Sequence, residues 1–243
     1  MKESFYRTGM LLGEATENIL LNSTACVFGA GGVGGHCIDA LARCGLGNIH
    51  IIDSAIVKAS NLNRQICAEK NTVGMKKVEA MRLHIEAVSD CNVSVSDVFA
   101  SPENIASLIG DNADIVIDCV DTVSAKIAII EEAQKRGLPV LSSMGAGNRL
   151  DPTAVRTGDI YSTSVDPLSR IMRHELRKRK IPALTCVYSL EIPKKPLMPS
   201  PDPDMKPNSP ASVPFVHAAF GLALAYEAIK LLLQKQNGEI YET

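Results

Sequence analysis

Residues 24–53, TACVFGAGGVGGHCIDALARCGLGNIHIID, carry the pattern that decides the fold. The apolar run from Thr24 to Gly29 suits a buried strand. The glycine cluster Gly29, Gly31, Gly32 and Gly34 follows, and Cys37, Ile38, Leu41 and Cys44 then recur at helical spacing over 35–44. Gly45 and Gly47 stop that helix, and Asn48 to Asp53 reads as a second strand. Strand, glycine turn, helix and strand together open a doubly wound α/β sheet, Rossmann-like and mostly parallel. Glycines in the turn let backbone N–H groups approach a phosphate at the helix N-terminus, where the dipole favours negative charge. A carboxylate at the end of the second strand, Asp53, can accept hydrogen bonds from a ribose. This much predicts an adenine nucleotide site.

The pattern repeats outward. Helices are predicted over 14–21, 73–88, from Ser101-Pro102, and from a Thr122 cap to Gly137. Strands are predicted over 91–98, 114–120 and 139–143. The C-terminal half is less regular: a basic helix from Asp166-Pro167 to about Lys180, a strand over 184–190, and a last helix over 216–233. Between Pro193 and Pro214 lie 8 of the 13 prolines, which predicts a mobile loop. The whole is read as one domain spanning 1–243.

Composition narrows the class. The chain has 243 residues, 46% hydrophobic and 21% charged, a globular balance far from a disordered one. A formal net charge of −2 excludes a globally basic nucleic-acid coat but leaves room for a local basic patch. Seven cysteines without a C-x-x-C pair argue against a common zinc site and a disulfide framework. The opening residues, MKESFYRTGM, lack an apolar signal core, so a cytoplasmic location is expected. Residues 207–226 carry no Asp, Glu, Lys or Arg, but three prolines interrupt them, so they are read as a buried helix with no membrane span.

The residues after Asp53 do not suit a hydride-transfer site. Asn61, Arg64 and Gln65 stand in a dense polar run, Lys76 and Lys77 at the start of the next predicted helix, and Asp121 after the fourth predicted strand. The carboxyl ends of strands face the ligand crevice, so Arg64, Lys77 and Asp121 are expected to converge beside the glycine turn. Two cations and a carboxylate suit a triphosphate with Mg²⁺. Lys76 is read as a solvated surface charge.

The residues GAGGVG, IIDSAIVKASNLNRQ, TVGMKK and DCVDT resemble the adenylating superfamily of ubiquitin-activating E1 enzymes and the bacterial thiamine and molybdopterin adenylyltransferases. Within it, YRTGMLLGEA, SSMGAGNRLDPTAV, DIYSTSVDPLSRIMRHELRKR and SVPFVHAAFGLALAYEAIK are most similar to the tRNA threonylcarbamoyladenosine dehydratase family. The resemblance implies an E1-type fold binding ATP and Mg²⁺, and an ATP-dependent cyclising dehydration of threonylcarbamoyladenosine in tRNA. It places Gly31, Gly32 and Gly34 in the phosphate loop, with Gly29 opening it, and Asp53 on the ribose. Asn61, Arg64 and Lys77 fall at polyphosphate and catalytic positions, and Asp121 near Mg²⁺. Arg7 matches an arginine that reaches the partner subunit's ATP, which implies a homodimer. With tRNA as the implied substrate, Arg170, Arg173, Arg177, Lys178, Arg179 and Lys180 become candidate phosphate contacts. Ser142, Ser143, Gly145 and Gly147, around Met144, could shape a substrate pocket or a monovalent cation site for Na⁺ or K⁺. No zinc is expected, the cysteines are read as inert, and Cys67 is the one to test for reactivity. A cysteine-desulfurase or sulfur-acceptor system could dock. The alternative reading is an adenylyltransferase activating the C-terminal glycine of a sulfur-carrier protein.

Overall fold

In the computed structural model, residues 2–200 and 209–237 are described, with side chains to residue 234. Seven strands form one sheet: β1 (Thr24–Phe28), β2 (Asn48–Ile52), β3 (Asn92–Ser96), β4 (Ile115–Asp118), β5 (Val140–Ser143), β6 (Val155–Asp159) and β7 (Thr185–Ser189). Eight helices accompany them: α1 (Tyr6–Leu12), α2 (Ala15–Leu21), α3 (Gly32–Arg43), α4 (Lys77–Val88), α5 (Ile105–Leu108), α6 (Val123–Lys135), α7 (Pro167–Lys178) and α8 (Pro214–Asn237). The strand order is β3-β2-β1-β4-β5-β7-β6. Every pairing is parallel except β6 with β7.

The strand compositions explain their places. All five residues of β1 are buried, because helices cover both faces of a central parallel strand. Ala25 and Val27 pack with Leu41, Ile51, Phe220 and Leu224 on one face. Cys26 and Phe28 pack with Val116, Ile129 and Ala133 on the other. Each fully buried aliphatic or aromatic side chain of this kind contributes about 1.5–3 kcal/mol relative to exposure. The β3 strand is an edge, and it alternates polar with apolar as edges do.

Four expectations are corrected. The predicted helix over 73–88 begins only at Lys77, because the preceding residues form a bridge. Gly74 N–H donates to Val57 O, Val57 N–H to Met75 O and Lys77 N–H to Ala55 O. The helix expected at Ser101-Pro102 begins at Ile105, because a turn precedes it in which Asn104 Oδ1 accepts from Ser101 N–H at 2.8 Å. Thr122 holds the N-cap position of α6 but makes no side-chain capping bond. The strand β6 was not predicted. Its residues, VRTGD, carry one apolar side chain, and pairing with β7 alone makes it a strand.

The C-terminal helix α8 is long and apolar enough over 214–234 to cross a membrane, yet half of that stretch is buried and it packs on α3. It is therefore a core helix. Residues 193–200 and 209–213 of the proline-rich segment form no helix or strand, and 201–208 lie outside the described residues.

Candidate active site

The strand order reverses between β1 and β4, and there the loops leaving adjacent strands diverge to leave a crevice. A cavity of about 490 Å³ opens at this point. Gly29, Gly31, Gly32, Asp53, Arg64, Lys77 and Asp121 line it. Residues separated by up to 92 positions in sequence thus share one space, because the loops after β1, β2 and β4 and the start of α4 meet at the same sheet edge.

The glycines have different reasons for being glycine. Gly29 has φ +94°, and a Cβ there would lie 2.8 Å from Cys119 O. A Cβ on Gly34 would strike the Gly29 carbonyl. Both hold the loop tightly against β4. A Cβ on Gly31 meets nothing within 4 Å, so the protein itself leaves that side open toward the cavity. Asp53 ties the loop to the next strand: Oδ2 accepts from Ala30 N–H and Oδ1 from Ala55 N–H, each at 2.8 Å. A carboxylate has about four lone-pair sites, so a ribose hydroxyl can still be accepted.

Arg64 is aimed rather than free. Its Nη1 donates to Ser60 O at 3.0 Å and Asn63 Oδ1 at 2.8 Å. Burial lowers its pKa and the Asp121 carboxylate opposes that, but a guanidinium stays charged. Lys77 and Asp121 line the same cavity, and neither side chain has a hydrogen bond or ion pair among the described residues. Lys76 instead pairs with Asp97 at 2.9 Å on the surface, as expected. Asn61 is buried, and its Oδ1 accepts from Lys58 N–H at 3.0 Å to close a turn. It is absent from the cavity lining and braces the Arg64 loop from behind. Arg7 is exposed on α1, away from this cavity.

Four residues of the site were not legible in the sequence. Phe99 stands 60% exposed at the cavity edge, in the loop after β3. His217 lies in the first turn of α8, against the glycine loop. Lys126 is fully buried, with Nζ 2.9 Å from both Asp118 Oδ2 and Val120 O. Ser142 Oγ donates to the same Asp118 oxygen at 2.6 Å, and Val120 N–H to Asp118 Oδ1 at 3.1 Å. This network ends β4, holds the loop that carries Asp121, and joins it to β5. Arg149 is also buried, with Nη2 3.0 Å from Asp166 Oδ2. Its Nη1 donates to Gly145 O, Nε donates to Glu191 O, and Asp166 Oδ1 caps α7 through Ser169 N–H. The Met144–Gly147 loop is thereby locked to the basic helix. The Arg149 guanidinium meets the Gly145 carbonyl.

That helix is less uniformly available than its sequence suggests. Arg173 Nη1 donates to Thr163 O and Oγ1, Arg179 pairs with Glu131 and Glu175, and Lys178 pairs with Glu175. Arg177 stacks over Tyr161, 5.1 Å from the ring centre. Arg170 and Lys180 are exposed and make no side-chain pair among the described residues. All seven cysteines are free thiols, and burial raises the pKa of each. Cys67, beside the loop, donates to Ala30 O and is pushed up to about 11. Among the described residues no group of three or more His, Cys, Asp or Glu is placed to hold a metal.

Two residues test the fit of a nucleotide with Mg²⁺. Gln65 lines the cavity, and its Oε1 is an acceptor with no protein donor among the described residues. Asp121 offers an exposed, unshared carboxylate, the hard oxygen donor that Mg²⁺ takes alongside phosphates and water. The residues fit.

Residues 6–243 match the ThiF family, and the chain belongs to that family. Within it, the chain is 37% identical over 195 residues to the tRNA threonylcarbamoyladenosine dehydratase of Bacillus subtilis strain 168, covering 79% of this chain and 77% of that protein. It is 35% identical over 200 residues to the enzyme of the same name from Escherichia coli K12, covering 78% and 74%. The Escherichia coli enzyme solved with AMP superposes with a TM-score of 0.89 at 32% identity, over 98% of this chain and 96% of that one. The same enzyme has been solved with ATP, with a TM-score of 0.87.

Proposed function

We propose that the chain is an ATP-dependent enzyme that dehydrates threonylcarbamoyladenosine in tRNA to its cyclic form. The observation that carries this reading is the β1–β4 cavity, where Gly31 lies open opposite Arg64, Lys77 and Asp121. The relatives named above are dehydratases of that nucleoside, and one of them has been solved with ATP and AMP.

The chemistry follows from the need to make a carboxylate reactive. Its oxygen attacks the α-phosphorus of ATP, the bond from that phosphorus to the bridging oxygen breaks and pyrophosphate leaves. The carboxyl carbon now carries AMP in place of oxide as its leaving group. Arg64 and Lys77 balance the charge that develops on the phosphates. Asp121 would hold Mg²⁺ beside the phosphates, and the ion when bound would supply charge stabilisation to the leaving group. The activated carboxyl lies close to the urea of the same modification, so ring closure is intramolecular. Well-aligned reactions of that kind reach effective molarities of about 10⁵–10⁸ M, so no covalent nucleophile is required. Free thiols whose pKa is raised by burial agree with this route.

The finer features belong to the same proposal. The enzyme acts in the cytoplasm as a homodimer, with Arg7 reaching the partner's nucleotide. Supporting this, Arg7 is exposed on α1 beside Met10 and Leu11, which are 86% and 85% exposed. The tRNA backbone meets α7 chiefly through Arg170, Arg177 and Lys180, with Lys178, Arg173 and Arg179 engaged within the protein. A monovalent cation would share the Ser142–Gly147 turn with the Arg149 guanidinium, and activity measured against Na⁺ and K⁺ tests it. A sulfur-transfer partner would dock outside the cavity, and pull-down with a purified desulfurase tests that.

The deciding experiment is incubation of the protein with ATP, Mg²⁺ and tRNA carrying threonylcarbamoyladenosine. The expected product is the nucleoside lighter by one water, read by mass spectrometry. An unchanged tRNA together with adenylation of a sulfur carrier's C-terminal glycine would replace this reading with the alternative.

A further inference from the structure

Ring closure removes a proton from a urea nitrogen, whether nitrogen or oxygen forms the new bond to carbon. Nothing in the roles of Arg64, Lys77 or Asp121 takes that proton. We infer that His217 is the base, from its open Nε2 in the nucleotide cavity beside Gly32, Arg64 and Asp121; the inference rests on the dehydratase reading.

The position of the ring is tightly determined. A Cβ on Gly32 would lie 2.7 Å from His217 Cδ2, so the imidazole fills the space that the phosphate-loop glycine leaves. One turn further along α8, a Cβ on Gly221 would lie 2.5 Å from Val33 O and 2.7 Å from His36 Cβ. The close crossing of α8 on α3 therefore sets the depth at which His217 enters the cavity.

The protonation state is set as well. Nδ1 stands 3.0 Å from Val213 O. A carbonyl can only accept, so Nδ1 carries the hydrogen and Nε2 carries the lone pair in the neutral ring. Gln65 Oε1 and Ser169 Oγ are the buried polar side-chain atoms without partners among the described residues. Nε2 is not one of them and has no protein partner, so it reaches the open cavity. Burial lowers the pKa below the ordinary histidine value. Arg64 and His36 press it further down, while the Val213 contact and the Asp121 carboxylate pull it up. His36 is itself lowered by burial. Burial thus favours the neutral ring, and the Val213 contact leaves the lone pair on Nε2.

The step balances. The urea N–H bond breaks and its proton passes to Nε2. For closure through nitrogen the electron pair released forms the C–N bond at the activated carboxyl carbon; for closure through oxygen it becomes a C=N bond while the urea carbonyl pair forms the C–O bond there. The carboxyl–phosphate bond breaks, and AMP leaves with its electron pair. The imidazolium then returns the proton to solvent.

The test separates activation from closure. His217→Gln is compared with the unaltered enzyme in ATP–pyrophosphate exchange dependent on the modified tRNA, and in formation of the cyclic nucleoside. Expected is exchange within about threefold of the unaltered enzyme. Cyclisation should be slower by ~10²–10⁴-fold, and the acid limb of its pH–rate profile should be lost. His217→Ala should recover cyclisation with added imidazole, with thermal melting as the check on folding. Parallel loss of exchange and cyclisation in a folded variant would make His217 a phosphate ligand and overturn the inference. So would cyclisation at the normal rate with an unchanged pH profile. If the unaltered enzyme neither exchanges nor cyclises, the dehydratase reading itself fails.

Discussion

Two buried ion pairs brace two loops that wall the cavity, and they are built differently. Lys126–Asp118 joins residues eight apart, at the end of β4 and in the first turns of α6. It holds the Asp121 loop, the nucleotide side. Arg149–Asp166 joins a loop after β5 to the N-cap of the basic helix, and through Nε to the end of β7. It holds the side that faces the candidate tRNA surface. The first is a local repair of one strand-to-helix turn. The second ties together three elements of the irregular half. Buried charges survive only when fully paired, so each pair marks a place where loop geometry matters more than apolar packing.

The largest expected effects break the pairs. Lys126→Met leaves Asp118 buried with only the Ser142 and Val120 donors, and should cost about 3–5 kcal/mol in chemical denaturation. Arg149→Met should cost a similar ~3–5 kcal/mol. The comparison is sharpened by binding: in the folded fraction, Lys126→Met should raise the KM for ATP, and Arg149→Met should weaken tRNA. Equal damage to both ligands in both variants would erase the distinction between the walls. Next comes Asp121→Ala, which should reduce turnover by roughly 100-fold or more while shifting the melting temperature little. Normal turnover would remove Asp121 from the chemistry.

Smaller effects divide the basic helix. Arg170→Ala should lower the slope of log tRNA affinity against log salt by about 1, because it removes one available phosphate contact. Arg173→Ala should leave that slope nearly unchanged and destabilise the fold by about 1–3 kcal/mol, because its guanidinium is spent on Thr163. The reverse pattern would contradict the placement of both. The smallest effect is alkaline. Thiols that ionise near 9 when exposed are raised to about 11 at Cys67 and about 12 at Cys26, Cys91 and Cys186. Their neutral forms are favoured only in the fold. Stability from this source is full below pH 9 and declines as pH rises from 9 toward 12, which urea unfolding across that range would show.

Which parts could be read from residues alone follows from how local their causes are. The glycine turn, the apolar strands β1, β2, β4 and β5, and the convergence of Arg64, Lys77 and Asp121 all follow from short-range pattern plus the rule that parallel strands expose one common edge. The rest turns on which partner each side chain finds, near or far. Asn61 sits in the same polar run as Arg64, yet its side chain turns back to Lys58. Arg173 and Arg179 lie among available cations in sequence, yet Thr163, Glu131 and Glu175 claim them. His217 is 185 positions from Gly32 and carries no motif linking the two. Only the crossing of α8 on α3 brings them into contact.

The amino-acid sequence by itself determined the doubly wound sheet and the glycine-walled nucleotide crevice, because burial period and turn chemistry act between near neighbours. Tertiary structure alone decided that VRTGD becomes an edge strand, which charges on α7 remain available, and that an imidazole faces the phosphate loop. Those outcomes depend on which distant surfaces meet, and a linear pattern holds no record of that meeting.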